Sequence, residues 1–392
     1  MAVLPESQHT TATAIVKWYE SKPQEHRPHM GASLIGHACD RAIWLTWRWV
    51  LKPEFKGRIL RLFSTGQREE SRLLEELRGI GAEVWDADPN TGGQWRVSAH
   101  DGHFGGSLDG IAKGLPEGPR TPAVLEFKTH SHKSFTEVVA KRVREAKPQH
   151  YDQMTVYAGL MELTRALYMA VDKDTDDVYV EWVEFDKARF DQLLARAKRL
   201  IEATAPPDRI SDDPAHWQCK FCNFYKHCHQ GVAAEANCRT CCHASPVETA
   251  AWRCEVHSDT VPLEFQRKGC DQHLMIPGLV PYGEPVDGGS NWVAYRHRES
   301  GKHFVNGADL GTTTYGPCFT SAELHHCPGG LLPEAADLKT EFPGAKVISG
   351  SAFDDMQSED LDAVPSKPDT PAKRETRKKI ANSIKQLEAL QP

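Results

Sequence analysis

The spacing of apolar positions changes several times along the first half of the chain, and each change predicts an element. Residues 11–20 read as a short amphipathic helix, and residues 38–50 as a second, rich in tryptophan and flanked by Gly36 and Pro53. Residues 61–78 carry Leu73, Leu74 and Leu77 on one side and end at Gly79 and Gly81, the signature of a third helix. Strand-like runs follow at 83–85, 94–98, 105–111 and 124–129. Helical spacing returns at 135–146, breaks at Pro148 and resumes at 150–162. Residues 166–172 and 177–185 read as a hairpin around Asp174-Thr175-Asp176, and 187–203 as an amphipathic helix with Phe190, Leu193, Leu194, Ala197 and Leu200 in register. The pattern predicts an α/β domain, a small mixed sheet flanked by helices, ending near residue 232. Residues 233–280 are cysteine-rich with little regular pattern, and 281–345 hold short β-like pieces between Gly and Pro. From residue 346 the chain turns polar: an acidic, Pro-rich linker at 351–371, then a basic helix candidate at 372–390.

Composition narrows the class. A chain of 392 residues is long for one core. The net charge of −7 gives no global support for nucleic-acid binding, so any such contact needs a local basic patch. No run approaches the ~20 apolar residues of a membrane span, and no signal-peptide core opens the chain. The expected location is cytoplasmic. There, eleven cysteines point to metal binding rather than disulfides.

The sharpest chemistry lies in two apolar frames, Gly-Ser-Leu-Asp-Gly-Ile (106–111) and Val-Leu-Glu-Phe-Lys-Thr (124–129), joined by the turn-rich stretch 113–122. On adjacent strands Glu126 and Lys128 share a face and Phe127 turns away. An acid, Asp109, opposite an acid-x-lysine pair can hold a hard cation beside an ammonium group. Glu70, on the third helix, is a further carboxylate. Gln153 and Tyr157 are four apart on a helix and so share a face.

Gly66-x3-Glu70, Asp109, Glu126-Phe-Lys128 and Gln153-x3-Tyr157 resemble, in order and spacing, the PD-(D/E)xK nucleases of the RecB type, over roughly residues 30–230. The resemblance implies a restriction-endonuclease-like mixed sheet. It implies Mg²⁺ or Mn²⁺ on Asp109, Glu126 and Glu70, a lysine that orients the attacking water, and Gln153 and Tyr157 supporting the site. Glu70 stands where many RecB-type members have histidine and where related phage-type exonucleases have glutamate.

The cysteines fall into sets. Cys219-x2-Cys222-x5-Cys228 is one thiolate short of a tetrahedral site, and Cys39 is the obvious fourth. This one-plus-three arrangement resembles AddB and the CRISPR adaptation nucleases, where it implies a [4Fe–4S] cluster stapling the ends of the domain; Zn²⁺ accepts the same ligands. Cys238, Cys241, Cys254 and Cys270 are the expected ligands of a Zn²⁺ ion, with His257 or His273 as alternatives. The domains expected are therefore a nuclease domain with its metal-stapled core (1–232), a zinc-binding module (233–280), a small β-rich extension (281–345) and a polar linker with a basic tail (346–392).

Weaker signals remain. Lys141, Arg142, Arg144 and Lys147 form a basic stretch suited to DNA phosphates. His130 and His132 read as surface-loop residues near substrate. Trp44, Trp47 and Trp49 read as core rather than base-stacking residues. The function expected is a metal-dependent DNA nuclease, an exonuclease on DNA ends or single strands, in recombination, repair or phage DNA processing. The rival readings are a CRISPR-adaptation or structure-specific nuclease and a non-catalytic DNA-binding module. No P-loop is present, so a helicase, or a single-strand annealing protein, is the partner expected.

Overall fold

A computed structural model describes residues 10–308 and 310–349; the expected linker and basic helix lie outside the described residues. In chain order the first half runs α1 (Thr10–Glu20), β1 (Met30–Gly31), α2 (Asp40–Trp47), α3 (Gly57–Gly79), β2 (Glu83–Trp85), β3 (Arg96–Ala99), β4 (Phe104–Ser107), β5 (Gly110–Lys113) and β6 (Ala123–His130). It continues through α4 (His132–Ala146), α5 (Pro148–Leu160), β7 (Arg165–Asp172), β8 (Val178–Glu184) and α6 (Lys187–Glu202). Strands β2, β5, β6, β7 and β8 form one sheet in that order. β6 and β7 are parallel, with Glu126 beside Tyr168 and Lys128 beside Ala170, and their neighbours pair antiparallel. Helices α4 and α5 make the crossover that a parallel pair needs. A smaller sheet joins β1, β4 and β3. The class is α/β, with mixed sheets flanked by helices, as the apolar pattern predicts.

The central sheet is covered on both faces, and β6 alternates between them. Leu125 and Phe127 pack with Leu73 and Leu77 of α3 and with Leu167 and Met169 of β7. Val124 packs with Tyr168 and with Met154, Val156 and Tyr157 of α5. The alternation of side chains along a strand then directs Glu126 and Lys128 toward α5.

Three boundaries differ from expectation. Residues 105–111 are two strands in two sheets, β4 and β5, not one. Asp109 sits at the break, where its Oδ2 accepts the Phe127 N–H at 2.7 Å and Gly110 takes φ 156°. The last helix before β7 starts at Pro148 itself, because proline at the first helical position forfeits only an N–H with no intrahelical partner. The tryptophan-rich helix stops at Trp47, and Trp49 beyond it sits at φ 56°.

Residues beyond 281 are more regular than their sequence suggests. Gly283–Gly288, Trp292–His297, His303–Gly307, Gly316–Phe319 and Thr312–Thr313 form a five-stranded sheet in that order, followed by helices Ser321–His326 and Leu332–Glu341. The chain divides into two units, Met1–Val347 and Ile348–Pro392, and nearly all of the second lies outside the described residues. Within the first, one apolar core runs from Met30 and Trp47 through Trp252 to Phe304 and Leu332. An arginine–tryptophan stack packs within it. The Arg48 guanidinium lies 5.2 Å from the Trp44 and Trp47 rings and 5.0 Å from Trp252. Arg239 lies 3.7 Å over Trp49 and 4.9 Å from Trp252. Trp44, Trp47 and Trp49 are therefore interior residues. No helix among the described residues is long and apolar enough to cross a membrane.

Candidate active site

Glu126 is fully buried on β6, and four neighbours converge on it. Lys128 Nζ donates to Glu126 Oε1 and, at 3.0 Å, to the Phe127 carbonyl. Gln153 Nε2, from α5, donates to Glu126 Oε2 at 3.0 Å and reaches the Tyr157 hydroxyl at 3.3 Å. Asp109 approaches from the β4–β5 break, held by the Phe127 N–H. Glu70, half-buried on α3, is close enough for its charge to act on Glu126 and Lys128. All six residues singled out by spacing thus meet at one place.

The electrostatics of the group are those of a charge excess. Burial raises the Glu126 carboxyl to about 7 despite the pull of Lys128, and Asp109 and Glu70 push it the same way. Asp109 is also raised, by burial working against Lys128 and the Phe127 N–H. Glu70 is raised by burial and by Asp109. Burial opposes the charge on Lys128, yet Glu126 and Asp109 outweigh it and hold the ammonium above its ordinary value. Three carboxylates share one ammonium, so the ionised set carries a surplus of negative charge. A divalent cation is the natural complement to such a donor set. No group of three or more His, Cys, Asp or Glu side chains among the described residues is arranged to hold an ion as it stands.

One backbone position shapes the site from below. A Cβ on Gly106 would come within 2.5 Å of the Tyr157 hydroxyl and 3.0 Å of its ring. Gly106→Ala is expected to displace Tyr157 and lower cleavage about 10²-fold, while overpacking costs roughly 1–3 kcal/mol of stability. Steady-state kinetics and a urea melt on the same variant check both; unaltered kinetics would dismiss Tyr157 from the site.

The sequence pattern missed a polar chain behind Lys128. His130 was expected in a surface loop, but it ends β6 and is buried. Its Nε2 lies 2.8 Å from the Tyr168 hydroxyl, which lies 3.0 Å from His150 Nδ1, and His130 Nδ1 meets Ser134 Oγ at 3.0 Å. Burial lowers His130 to about 4 and His150 to about 3, with Lys128 adding to both, so the chain is neutral. Continuing the alternation of Glu126 and Lys128 by two residues reaches His130, and that was the available signal. His132 instead opens α4 and pairs with Asp172 at 2.6 Å.

The basic stretch is largely balanced by acids. Lys141 pairs with Glu137 and Glu145, and Arg144 with Asp186. Arg142 takes φ 66° inside α4 and donates through Nε to Glu181 at 3.0 Å. Lys147 pairs with Glu137, and its charge reaches His130 and His150, which places it nearest the site.

Both cysteine sets assemble around cavities. Cys39, Cys219, Cys222 and Cys228 line one, together with His37 and Arg41. Cys39 caps α2, and the other three sit on two short helical turns, Trp217–Lys220 and Tyr225–His229, and the loop between them. The Arg41 side chain donates to Cys228, and the Phe224 N–H to Cys222. Cys238, Cys241, Cys254 and Cys270 line the other, with His243, His257 and His273. None of the eleven cysteines is in a disulfide. The later cysteines Cys318 and Cys327 are buried apart from both cavities.

No family model and no curated protein sequence matches the chain. Among solved structures, it is similar at 15% identity and a TM-score of 0.35 to that of SSO0001, covering 56% of this chain and 96% of that one. The alkaline exonuclease LHK-Exo of Laribacter hongkongensis is similar at 13% identity and a TM-score of 0.32, over 47% of this chain and 89% of that one. A phage-related exonuclease of Haemophilus somnus 129PT is similar at 15% identity and a TM-score of 0.26, over 35% and 68%. Overlaps this low do not define the fold, which stands on the strand order and core described above.

Proposed function

We propose that this chain is a metal-dependent deoxyribonuclease that hydrolyses phosphodiester bonds at DNA ends or in single strands. The observation that carries the reading is the surplus of buried negative charge where Glu70, Asp109 and Glu126 share Lys128. Asp109 and Glu126, with Glu70 beside them, would hold Mg²⁺ or Mn²⁺, which supplies neutralising charge for a phosphate and acidifies bound water. Lys128 has three donor protons. Two go to Glu126 and the Phe127 carbonyl, which leaves the third for the attacking water or a phosphate oxygen. Gln153 fixes the second oxygen of Glu126, so that carboxylate cannot rotate away. Tyr157 accepts from Gln153, and burial with Glu126 keeps its phenol protonated, so its own proton is free to donate to the phosphate.

The same reading assigns Cys39, Cys219, Cys222 and Cys228 to a [4Fe–4S] cluster with a structural role. Four thiols on one cavity suit it; burial raises Cys222 and Cys228, and the Phe224 N–H and the Arg41 guanidinium oppose that rise. A helicase or a single-strand annealing protein would deliver the DNA.

The test is cleavage of 5′- and 3′-labelled linear and circular DNA by anaerobically purified protein, with Mg²⁺, Mn²⁺ or EDTA. Cleavage is expected with either metal, absent in EDTA, and absent in Asp109→Asn. No cleavage of any DNA with retained binding would favour the non-catalytic DNA-binding module.

A further inference from the structure

Residues 237–276 contain two 3₁₀ or α-helical turns and three strands of two or three residues (Cys238–Thr240, Leu263–Gln266, Ala244–Pro246, Trp252–Cys254 and Asp259–Thr260). Pieces this short bury too little apolar surface to hold themselves. What they do share is the placement of four thiols around one cavity. Cys238 and Cys241 bracket a tight turn in which the Cys241 N–H meets the Cys238 carbonyl at 3.3 Å. Cys270 opens a similar turn, with the His273 N–H on its carbonyl at 3.0 Å. The two turns lie back to back, since Cys241 bridges Met275 in antiparallel register. Cys254 arrives from a third direction, at the end of a strand paired with Ala244 on one side and Asp259 on the other.

A second observation concerns two buried arginines, one of them in the first turn. Arg48 and Arg239 are 3% and 1% exposed, and among the described residues neither pairs with a carboxylate. Their guanidinium groups donate to carbonyls and an amide: Arg48 to Arg239 O and Ala203 O, and Arg239 to Gln266 Oε1, Trp47 O and Pro28 O. Two buried cations without counter-charge are costly. Arg239 stands between two of the four thiols in sequence, and Arg48 donates to the Arg239 carbonyl at 3.2 Å. A zinc ion with four thiolates carries two negative charges, one for each arginine; with three thiolates and a histidine it carries one.

We infer that Cys238, Cys241, Cys254 and Cys270 together hold one structural Zn²⁺ whose two negative charges balance the buried Arg48 and Arg239. No three of these donors are arranged to hold an ion as they stand, so closing on it requires their side chains to move. His273 also lines the cavity, its Nε2 bonded to the Asn237 carbonyl at 2.8 Å and 3.2 Å from the Thr240 hydroxyl and its Nδ1 without a partner, so zinc retention in His273→Gln separates four thiolates from three thiolates and a histidine. His257, which also lines the cavity, is left outside the set because four thiols already complete it. Through Arg239 the site reaches Pro28 and Trp47, on either side of β1 and α2. The metal therefore secures the segment that carries Cys39, independently of whether the chain cuts DNA.

The test uses the full chain, purified anaerobically. Elemental analysis is expected to find one zinc per chain, separate from iron. Cys242→Ser and His273→Gln are expected to keep it, and Cys238→Ser and Cys270→Ser to lose it. Should the last two fail to fold, replacing zinc by cobalt in the unmutated chain answers the same question, since the thiolate-to-metal absorption scales with the number of sulfur ligands. Arg239→Met is expected to lose zinc to a chelator about 10-fold or more readily, as outer-shell changes do. Zinc-free protein overturns the inference. So does a three-sulfur cobalt spectrum, zinc lost equally from Cys242→Ser and Cys238→Ser, or Arg239→Met with unaltered retention.

Discussion

Lys128→Ala is expected to lower the rate of DNA cleavage about 10³-fold with little change in DNA affinity, because the lost group acts on the attacking water. Nothing nearby replaces it, for the other groups around Glu126 are two carboxylates, an amide and a phenol. The variant also changes the pH response. Glu126 already titrates at about 7, and the ammonium is what restrains it from going higher. Without that charge the carboxyl rises further. Metal requires the ionised carboxylate, so whatever Mg²⁺-dependent cleavage remains is expected to shift to higher pH than in the unmutated chain. A rate–pH profile at one fixed, subsaturating Mg²⁺ concentration checks this. Cleavage indifferent to Lys128→Ala, or a profile moved toward acid, would remove Lys128 from the site.

The second large effect is on stability. Trp252→Ala is expected to cost about 3–5 kcal/mol. Trp252 is fully buried, lies 5.2 Å from the Trp47 ring, and is faced by Arg48 at 5.0 Å and Arg239 at 4.9 Å. Its removal opens a cavity between α2 and the cysteine-rich segment and leaves both guanidinium groups with one aromatic face fewer. The core is continuous there, so urea is expected to unfold the residues up to Val347 in one transition whose midpoint drops and whose slope is kept. Two separated transitions would show instead that the cysteine-rich segment is an independent module.

The carboxylates and the lysine were legible because strand alternation is strict: once Val124 to Thr129 is a strand, Glu126 and Lys128 must share a face. Gln153 and Tyr157 were legible for the same kind of reason, four residues apart on a helix. His130 was not, because the strand ends at that residue and nothing local separates a buried strand end from a loop. Tyr168 was missed because its place opposite Glu126 depends on the register of β6 against β7, which pair across two helices. The regular sheet after residue 281 was hidden by Gly and Pro: the glycines sit at strand ends and in turns, and Pro285 sits at the bulge of an edge strand.

By itself the sequence determined which donor types exist and which of them share an element: one lysine two residues from a buried acid, an amide and a phenol on one helical face, and thiols in short knuckles. These follow from bond geometry and from the periods of helix and strand. Tertiary structure alone decided that the three carboxylates converge on a single ammonium, and that Tyr168 and two neutral histidines stand behind it. It alone decided that Arg48 and Arg239 are buried and, among the described residues, pair with no carboxylate. Charge compensation is a property of distance, and distances between residues far apart in sequence are set by packing.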